Sequence, residues 1–443
     1  MASVLTIALA AICAVVPFVI GQRHGVVRLV SPMHLLCYFC ALGFLAKFTI
    51  YSFQPELAFY RKFDLDPSAP LLGAAYLSGF VLLMCCGYLS GIRRISSPTY
   101  SARLIAAGIE RSAWLTLGAF TVALGTLFLI LNARGASLFD ASLLSGLNTA
   151  KQINVNDNGV GATLAGIKTL FIIPKFAFVL ILARGIARRS MLQLMIAAAL
   201  AGLLIVIALV SGDRFELIEL LIYALATYLI LGGRIGGRAI VVAAMGAAIV
   251  TMVSIYMTQL RLGHGSLVGQ VFGSTYFLDI NASVMITDQI KADQFLWGAS
   301  YSWWSFGWVP RAFWFDKPAI DLGVYFKREV MQIYTGGAYN VTGPGEAFIN
   351  FGWAGVSVGF VLGWVYRRIE EALLAPGNIM RFGSFLFYPM VFYPFVQATL
   401  QSSFSAFIVG AVAQTVLIVL MILLCVTRFR PQMCQPIGGH HAV

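Results

Sequence analysis

The sequence MLQLMIAAALAGLLIVIALV, residues 191–210, carries no charged side chain over its whole length. A membrane-crossing α-helix needs about 20 predominantly apolar residues, because the hydrocarbon core of a bilayer is about 30 Å thick. This stretch therefore predicts a transmembrane helix. The whole chain agrees with it: 59% of the 443 residues are hydrophobic and 11% are charged, whereas soluble domains are about 25% charged.

Comparable apolar stretches recur along the chain and predict about eleven transmembrane helices, within a range of about 10 to 13. Besides 191–210, they cover about residues 1–20, 29–51, 71–92, 113–131, 164–182, 217–231, 239–257, 347–366, 382–400 and 404–426. The first has neither a basic start nor a clear small-residue cleavage site, which favours a retained helix over a signal peptide. We expect an all-α polytopic membrane protein.

Basic residues gather in alternate loops. The loops at 21–28, 93–112, 183–190, 232–238, 367–381 and 427–443 hold 16 of the 30 Lys and Arg but only three of the 18 Asp and Glu. Because Lys and Arg are enriched in cytoplasmic loops, this set predicts the cytoplasmic face and the remaining loops the outer face. The same rule explains the net charge of +12 without nucleic-acid binding.

Neither a cofactor nor a metal is predicted. Most of the seven cysteines lie in apolar runs, and the pair Cys37 and Cys40 has no second pair or His cluster beside it. We therefore interpret these cysteines as small buried apolar residues. The chain contains no GxxxxGK[ST] motif and no dinucleotide fingerprint. The sequence therefore does not favour an ATP-driven function.

The longest polar interruption divides the chain. We expect a bundle of about eight helices over 1–258, a large outer loop with short helices over 259–346, about three further helices over 347–427, and a cytoplasmic tail over 428–443. The loop concentrates Arg, Lys, His, Asp, Glu, Trp and Tyr. Any chemistry is expected here, on the outer face.

Cations at this outer level suit an anionic ligand such as a pyrophosphate, since Arg grips phosphate with two hydrogen bonds and Lys acts as a point charge. Arg214 in SGDRFE has an alternative interpretation as part of a turn capped by Asp213, and a lone His such as His264 is more often structural. The candidate cations are Arg214, Arg261, His264, Arg311, Lys317, Lys327 and Arg328. Nearby aromatics in YSWWSFGW (301–308) could line a sugar site, although an interfacial belt is favoured.

Glu346 is the strongest single candidate for catalysis. It lies in TGPGEAFINFGWAGV, at the predicted outer mouth of the ninth span. A desolvated carboxylate there could act as a general base on a sugar hydroxyl. The alternative is a first-turn Glu that complements the dipole of its own helix.

Several of these motifs together resemble the oligosaccharide repeat-unit polymerases, the Wzy-type O-antigen polymerases. The resemblance covers about residues 211–363 and rests on SGDR (211–214), GASY (298–301), VPRAFWFDKP (309–318) and NVTGPGEAFINFGWAGV (340–356). The N-terminal half resembles this family in hydropathy only.

The resemblance implies a GT-C-like membrane glycosyltransferase in the bacterial inner membrane, with its active site facing the periplasm. Its substrates would be undecaprenyl pyrophosphate-linked oligosaccharides, and a chain-length regulator is a possible partner. Arg214, Arg311 and Lys317 would contact phosphate or sugar, and Glu346 would be catalytic or would orient a sugar. Tyr339 and Asn340, which precede or begin the last motif, are included among the substrate-binding candidates; Arg261 and His264 rest on their position alone.

The implied chemistry fits these residues, because a pyrophosphate leaving group is already activated and needs chiefly charge neutralisation and an oriented acceptor. We therefore expect transfer without a metal or a nucleotide sugar. Two alternatives remain open. One is an O-antigen ligase that transfers the chain to lipid A core, and the other is a transporter or flippase for lipid-linked oligosaccharides, for which Lys47, Lys168 and Lys175 give faint support.

Overall fold

A computed structural model gives the fold. It describes residues 2–27, 29–92, 112–133, 171–211, 215–231, 277–309, 317–334, 339–374 and 384–426, with a few isolated positions between these ranges.

Within these ranges the chain forms helices and connecting segments, and no strand. In chain order the α-helices are α1 (Ala2–His24), α2 (Pro32–Cys40), α3 (Lys47–Phe53), α4 (Ala69–Ser90), α5 (Ser112–Ala133), α6 (Ile172–Arg188), α7 (Met191–Ser211), α8 (Phe215–Ile230), α9 (Ile280–Gln289), α10 (Ala299–Ser302), α11 (Trp304–Gly307), α12 (Leu322–Tyr325), α13 (Thr342–Phe351), α14 (Val356–Leu374), α15 (Ser384–Val396) and α16 (Phe404–Val426).

Six segments of the described chain are long and apolar enough to cross a membrane. They are Val4–His24, Pro32–Phe53, Ala69–Ser90, Met191–Leu209, Thr342–Leu374 and Phe404–Ile422. The prediction of a helical membrane protein is thereby confirmed at this coarser level.

The other predicted spans correspond to helices whose fully described part is shorter than a membrane span, or they lie outside the described ranges. Helices α5, α6, α8 and α15 occupy four of them, and most of 239–257 is outside the description. The ninth predicted span, about 347–366, is longer than expected, since the helical segment runs over Thr342–Leu374. Its first turns therefore extend into the stretch that the sequence assigned to the outer loop.

Close packing of α4 on α14 forms the centre of the bundle. A Cβ atom added to Gly87 would strike the backbone oxygen of Phe360, and one added to Gly363 would strike that of Met84. Gly359 approaches the oxygen of Phe80 in the same way, so Gly359 and Gly363 form a GxxxG pair. Small residues at such spacing let helix backbones meet in membranes.

Contacts between distant loops agree with the charge-based grouping. At the end assigned to the cytoplasm, the Val26 N–H donates to Glu370 at 3.1 Å, and Arg367 donates to the His24 oxygen at 2.7 Å. At the other end, the Asp66 N–H donates to Asp288 at 3.2 Å. Loops that the charges assign to one face therefore lie together.

Two of the described membrane segments depart from regular α-helix, and a third break precedes the segment Phe404–Ile422. A π-helical segment, Ala41–Ala46, joins α2 to α3. Gly352 has φ +58°, a value that suits glycine, and opens the 3₁₀ turn Gly352–Gly355 between α13 and α14. Ser402 is extended between the π-helical Gln397–Gln401 and α16. At the last of these breaks the Gln401 oxygen accepts a side-chain hydrogen bond from Asn340.

Candidate functional site

The motif TGPGEAFINF forms helix α13, whose first turn lies against the break between α15 and α16. Asn340 stabilises the start of this helix, because its Oδ1 accepts a hydrogen bond from the Thr342 N–H at 3.1 Å. Pro344 is tolerated in the first turn, where backbone N–H groups have no helical partner. Gly343 lies so close to the Thr399 oxygen that a side chain would not fit. The glycines and the proline thus allow α13 to dock tightly on the break.

Glu346 connects three elements from inside the protein. Its side chain is 1% exposed. One oxygen, Oε1, accepts the Ser300 hydroxyl at 2.7 Å, and the other, Oε2, accepts the Phe404 N–H at 2.6 Å. The carboxylate therefore satisfies a donor at the start of α16 and holds helix α10 of the outer loop against it.

The position of Glu346 differs from the interpretation as a first-turn residue that complements its own helix. It is the fifth residue of α13 and complements the N-terminus of α16, a different helix from its own. A negative charge is stabilised there by the helix dipole. Both of its oxygens already have partners within the protein, so proton abstraction from a substrate would require one of these bonds to open.

Asn350 extends the same network by one helical turn. Its Nδ2 donates to the Ser300 hydroxyl oxygen at 2.7 Å, and its Oδ1 accepts the Gly298 N–H at 2.9 Å. The backbone follows, as the Leu296 N–H donates to the Ile349 oxygen at 3.0 Å. The residues of the GE…NF motif therefore fasten the outer loop to the membrane domain.

Asp321 is a second carboxylate at the start of α16. Its Oδ1 accepts the Gly323 N–H and the Ser403 hydroxyl, each at 2.9 Å. Burial raises the pKa of this carboxyl above its ordinary value. Asp321 was not among the site residues predicted from the sequence, because an Asp before a short apolar helix is too common a pattern to indicate a site.

Two predicted sugar contacts, Tyr339 and Asn340, lie beside this network. Tyr339 is buried with its ring stacked on Phe59 at 5.4 Å. Asn340 Nδ2 donates to the Gln401 oxygen at 2.6 Å, at the end of the π-helical segment. The structure therefore brings Tyr339, Asn340 and Glu346 together at the beginning of α13.

Lys317 has a structural contact that the sequence did not predict. Its Nζ donates to the Gly307 oxygen at 2.8 Å and to the Val309 oxygen at 2.9 Å. A lysine that binds the last carbonyls of α11 stabilises the end of that helix. Lys317 thus joins two parts of the outer loop, residues 307–309 and residue 317.

Lys327 and Arg328 lie on the π-helical segment Phe326–Val330, near the Tyr339 ring through Phe326. Arg328 is exposed and Lys327 is half-buried. Burial and the neighbouring Arg328 lower the pKa of Lys327. Solvent therefore reaches both cations, Arg328 more than Lys327.

Four predicted site residues lie outside the described ranges: Arg214, Arg261, His264 and Arg311. Arg214 directly precedes α8 in the sequence. Early in that helix, Glu216 and Glu219 both pair with Lys175 of α6, the latter at 2.5 Å. This buried ion pair network is the nearest described neighbour of Arg214 along the chain.

A further polar cluster was not found from the sequence. Lys47 at the start of α3 pairs with Asp279 at 3.0 Å, and both are buried. Asn281 joins them: its Nδ2 donates to Tyr51 at 2.7 Å, and its Oδ1 accepts the Phe59 N–H at 3.0 Å. A charged Lys in an apolar span was the available signal, but its partner is 232 residues away.

The described residues contain no group of three or more His, Cys, Asp and Glu arranged to hold a metal ion. The arrangement at the outer end is therefore one of carboxylates, hydroxyls and amides around a helix break, with cations on the loop above it. Such a set can orient a hydroxylated ligand and balance negative charge.

The fold is that of a helical membrane protein with buried polar groups where α10, α13 and α16 meet. Comparison of the chain with protein-family models, with curated proteins and with solved structures gave no match in any of the three.

Proposed function

We propose that the protein is a membrane glycosyltransferase that polymerises undecaprenyl pyrophosphate-linked oligosaccharide repeat units on the periplasmic leaflet of the bacterial inner membrane. The single observation that supports this proposal most is the set of hydrogen bonds that the TGPGEAFINF motif makes with the outer loop. Glu346 and Asn350 of this motif bind Ser300 and Gly298 of the outer loop. Residues from two of the four motifs that carry the family resemblance, GASY and NVTGPGEAFINFGWAGV, thus contact one another.

The number of spans and the GT-C-like arrangement are part of the same proposal. About eleven spans would surround a GT-C-like site, with the outer loop as a cover rather than a separate domain. The tight docking of α10 and α11 on α16 supports this, because Trp304 N–H donates to Ser405 at 3.0 Å. The Ser405 hydroxyl donates in turn to the Ser300 oxygen at 2.5 Å.

The proposed reaction needs a base, a charge clamp and an acceptor. An acceptor hydroxyl oxygen would attack the anomeric carbon of the lipid-linked chain, while the bond from that carbon to the pyrophosphate oxygen breaks. Undecaprenyl pyrophosphate leaves with the electron pair, and the hydroxyl proton passes to a carboxylate, for which Glu346 is the candidate. Arg214, Arg311, Lys317, Lys327 and Arg328 are the candidate cations for the developing negative charge.

Reconstitution tests the proposal directly. The purified protein is incubated with a defined undecaprenyl pyrophosphate-linked repeat unit, with and without excess EDTA, and the products are separated by size. We expect a ladder of lengthened chains in both conditions, since the activated leaving group needs no metal. A substrate whose acceptor hydroxyl is blocked serves as the control and should give no ladder.

Two outcomes would contradict the proposal. No ladder from an intact, folded preparation would remove the polymerase function, and a ladder lost in EDTA and restored by one divalent ion would remove its metal-independent form. A gene deletion separates the ligase alternative: single repeat units on the lipid A core indicate a missing polymerase, whereas bare core indicates a missing ligase.

A further inference from the structure

In the polar cluster around Asp279, one carboxylate oxygen lacks a hydrogen-bond partner. Asp279 has no solvent exposure. Its Oδ1 accepts from Lys47 at 3.0 Å, from the Asn281 N–H at 3.0 Å and from Asn281 Nδ2 at 3.2 Å. Its other oxygen, Oδ2, is buried and has no hydrogen-bond partner.

Two hydroxyls around the start of α13 share this condition. The Tyr339 hydroxyl and the Thr342 Oγ1 are buried and have no partner. Tyr339 connects to the cluster through Phe59, on which its ring stacks and whose N–H binds Asn281. Burial raises the pKa of Tyr339, and the charge of Asp279 raises it further. Tyr339 thus lies beside the Asp279 cluster, and Thr342 follows Tyr339 by three residues, at the start of α13.

Unpaired buried polar groups are costly, at about 1–3 kcal/mol each, and few occur in a folded protein. A group of three is therefore expected to have a purpose beyond folding. Backbone conformation points the same way. Thr342 has φ +62° and Phe277, two residues before Asp279, has φ +63°. The left-handed region is unfavourable for a β-branched or bulky residue, and such strain gathers at ligand sites.

The chemistry of the free atoms selects a ligand class. Asp279 Oδ2 only accepts hydrogen bonds when ionised, whereas the Tyr339 and Thr342 hydroxyls both donate and accept. An anionic ligand would be repelled by the carboxylate, and a cationic one would compete with Lys47, which already occupies Oδ1. A neutral ligand with several hydroxyl groups satisfies all three oxygens.

We propose that Asp279, Tyr339 and Thr342 form a binding site for the hydroxyl groups of a sugar, and that this sugar is the acceptor unit of the transfer reaction. The proposal rests on the function given above. It adds a second centre to that function: Glu346 and Asn350 hold the loop and the last span, whereas the Asp279 cluster recognises the acceptor.

The test removes one unpaired hydroxyl and nothing else. In Tyr339→Phe the ring and its stacking on Phe59 remain. Tyr388→Phe is the matched control, since the Tyr388 hydroxyl is also buried without a partner and its ring stacks on Phe392 at 5.4 Å. Tyr388 lies at the opposite end of the bundle, in the electrostatic field of Glu370 and Arg367.

Both variants should unfold at the same temperature as the wild type or higher, because each loses only an unsatisfied group. Only Tyr339→Phe should bind the lipid-linked repeat unit more weakly, by about tenfold for one lost hydrogen bond. Binding is measured by titration with that repeat unit, and the ladder assay is run on the same preparations.

The outcomes separate the two proposals. A wild-type ladder with unchanged binding by Tyr339→Phe overturns the acceptor site and leaves the polymerase intact. Weaker binding by Tyr339→Phe in a protein that makes no ladder supports the sugar site and overturns the polymerase. A lower unfolding temperature for Tyr339→Phe alone would mean that the hydroxyl has a structural partner, such as a buried water, and would also overturn the site.

Discussion

Two buried acid–base groups lie at opposite ends of the bundle and are satisfied to different degrees. At one end, Glu370 accepts the Val26 N–H on Oε1 and the Tyr88 hydroxyl, at 2.5 Å, on Oε2. Arg367 pairs with it at 3.3 Å and with Glu371 at 2.8 Å. At the other end, Asp279 receives all its donors on one oxygen and leaves the other bare.

The difference indicates different uses for the same kind of pair. A fully hydrogen-bonded buried charge network fixes the elements that it joins, here loop 21–28, α4 and α14. A carboxylate with an unused oxygen contributes less to the fold than its burial costs. We therefore infer that the group around Glu370 stabilises the fold, whereas the group around Asp279 is a candidate binding site. Each of the following changes breaks or sharpens this comparison.

The largest effect is expected from Arg367→Ala. This change leaves Glu370 and Glu371 buried without their cation, and removing one partner of a buried pair costs about 3–5 kcal/mol. The yield of folded protein after detergent extraction and its unfolding temperature should both fall sharply. Arg368→Ala is the control, because that side chain is 31% exposed and lies 3.9 Å from Glu371. An equal loss in the two variants would contradict the architectural role.

Changes at Glu346 should have an intermediate effect. Glu346→Ala leaves the Phe404 N–H without an acceptor, at a cost of about 1–3 kcal/mol. Glu346→Gln can accept from Phe404 and donate to Ser300, so it should unfold close to the wild-type temperature. We expect the Gln variant to make no ladder, because an amide does not take up the acceptor proton. A ladder of normal length in this variant would leave Glu346 only its anchoring role.

The smallest effect concerns Asp321. Burial raises the pKa of its carboxyl, so the folded state binds this proton more tightly than the unfolded state. The wild type should lose stability as pH rises from the ordinary Asp pKa through the raised value. Asp321→Asn keeps an acceptor for Gly323 and Ser403 but does not titrate. The unfolding temperature of the variant relative to wild type should therefore rise across this range, and parallel profiles would contradict the assignment.

Much of the architecture follows from the sequence, because a bilayer imposes one length and one polarity on every span. Residues 191–210 predict the observed helix Met191–Ser211 almost to its ends. The run at 404–426 likewise matches α16, Phe404–Val426. The interruptions were not predictable in the same way. The π-helical segment Ala41–Ala46 has an apolar sequence that an α-helix would also accept.

The location of Glu346 near the start of a predicted span followed from the sequence, but its hydrogen-bond partners did not. A carboxylate between apolar residues is costly, which made Glu346 a candidate. Its donors, Ser300 and Phe404, are 46 and 58 residues away in sequence. The pairing of Lys47 with Asp279 spans more than half of the chain. Such contacts depend on which helices pack together, which hydropathy does not specify.

The bond between Glu346 and Phe404 also sets an order of assembly. Phe404 begins the last helix of the described chain, so the partner for Glu346 Oε2 is synthesised 58 residues after Glu346 itself. The bond that holds α13 to α16 therefore cannot form before Phe404 has been synthesised. Closure of the outer loop over the bundle depends in this way on α16.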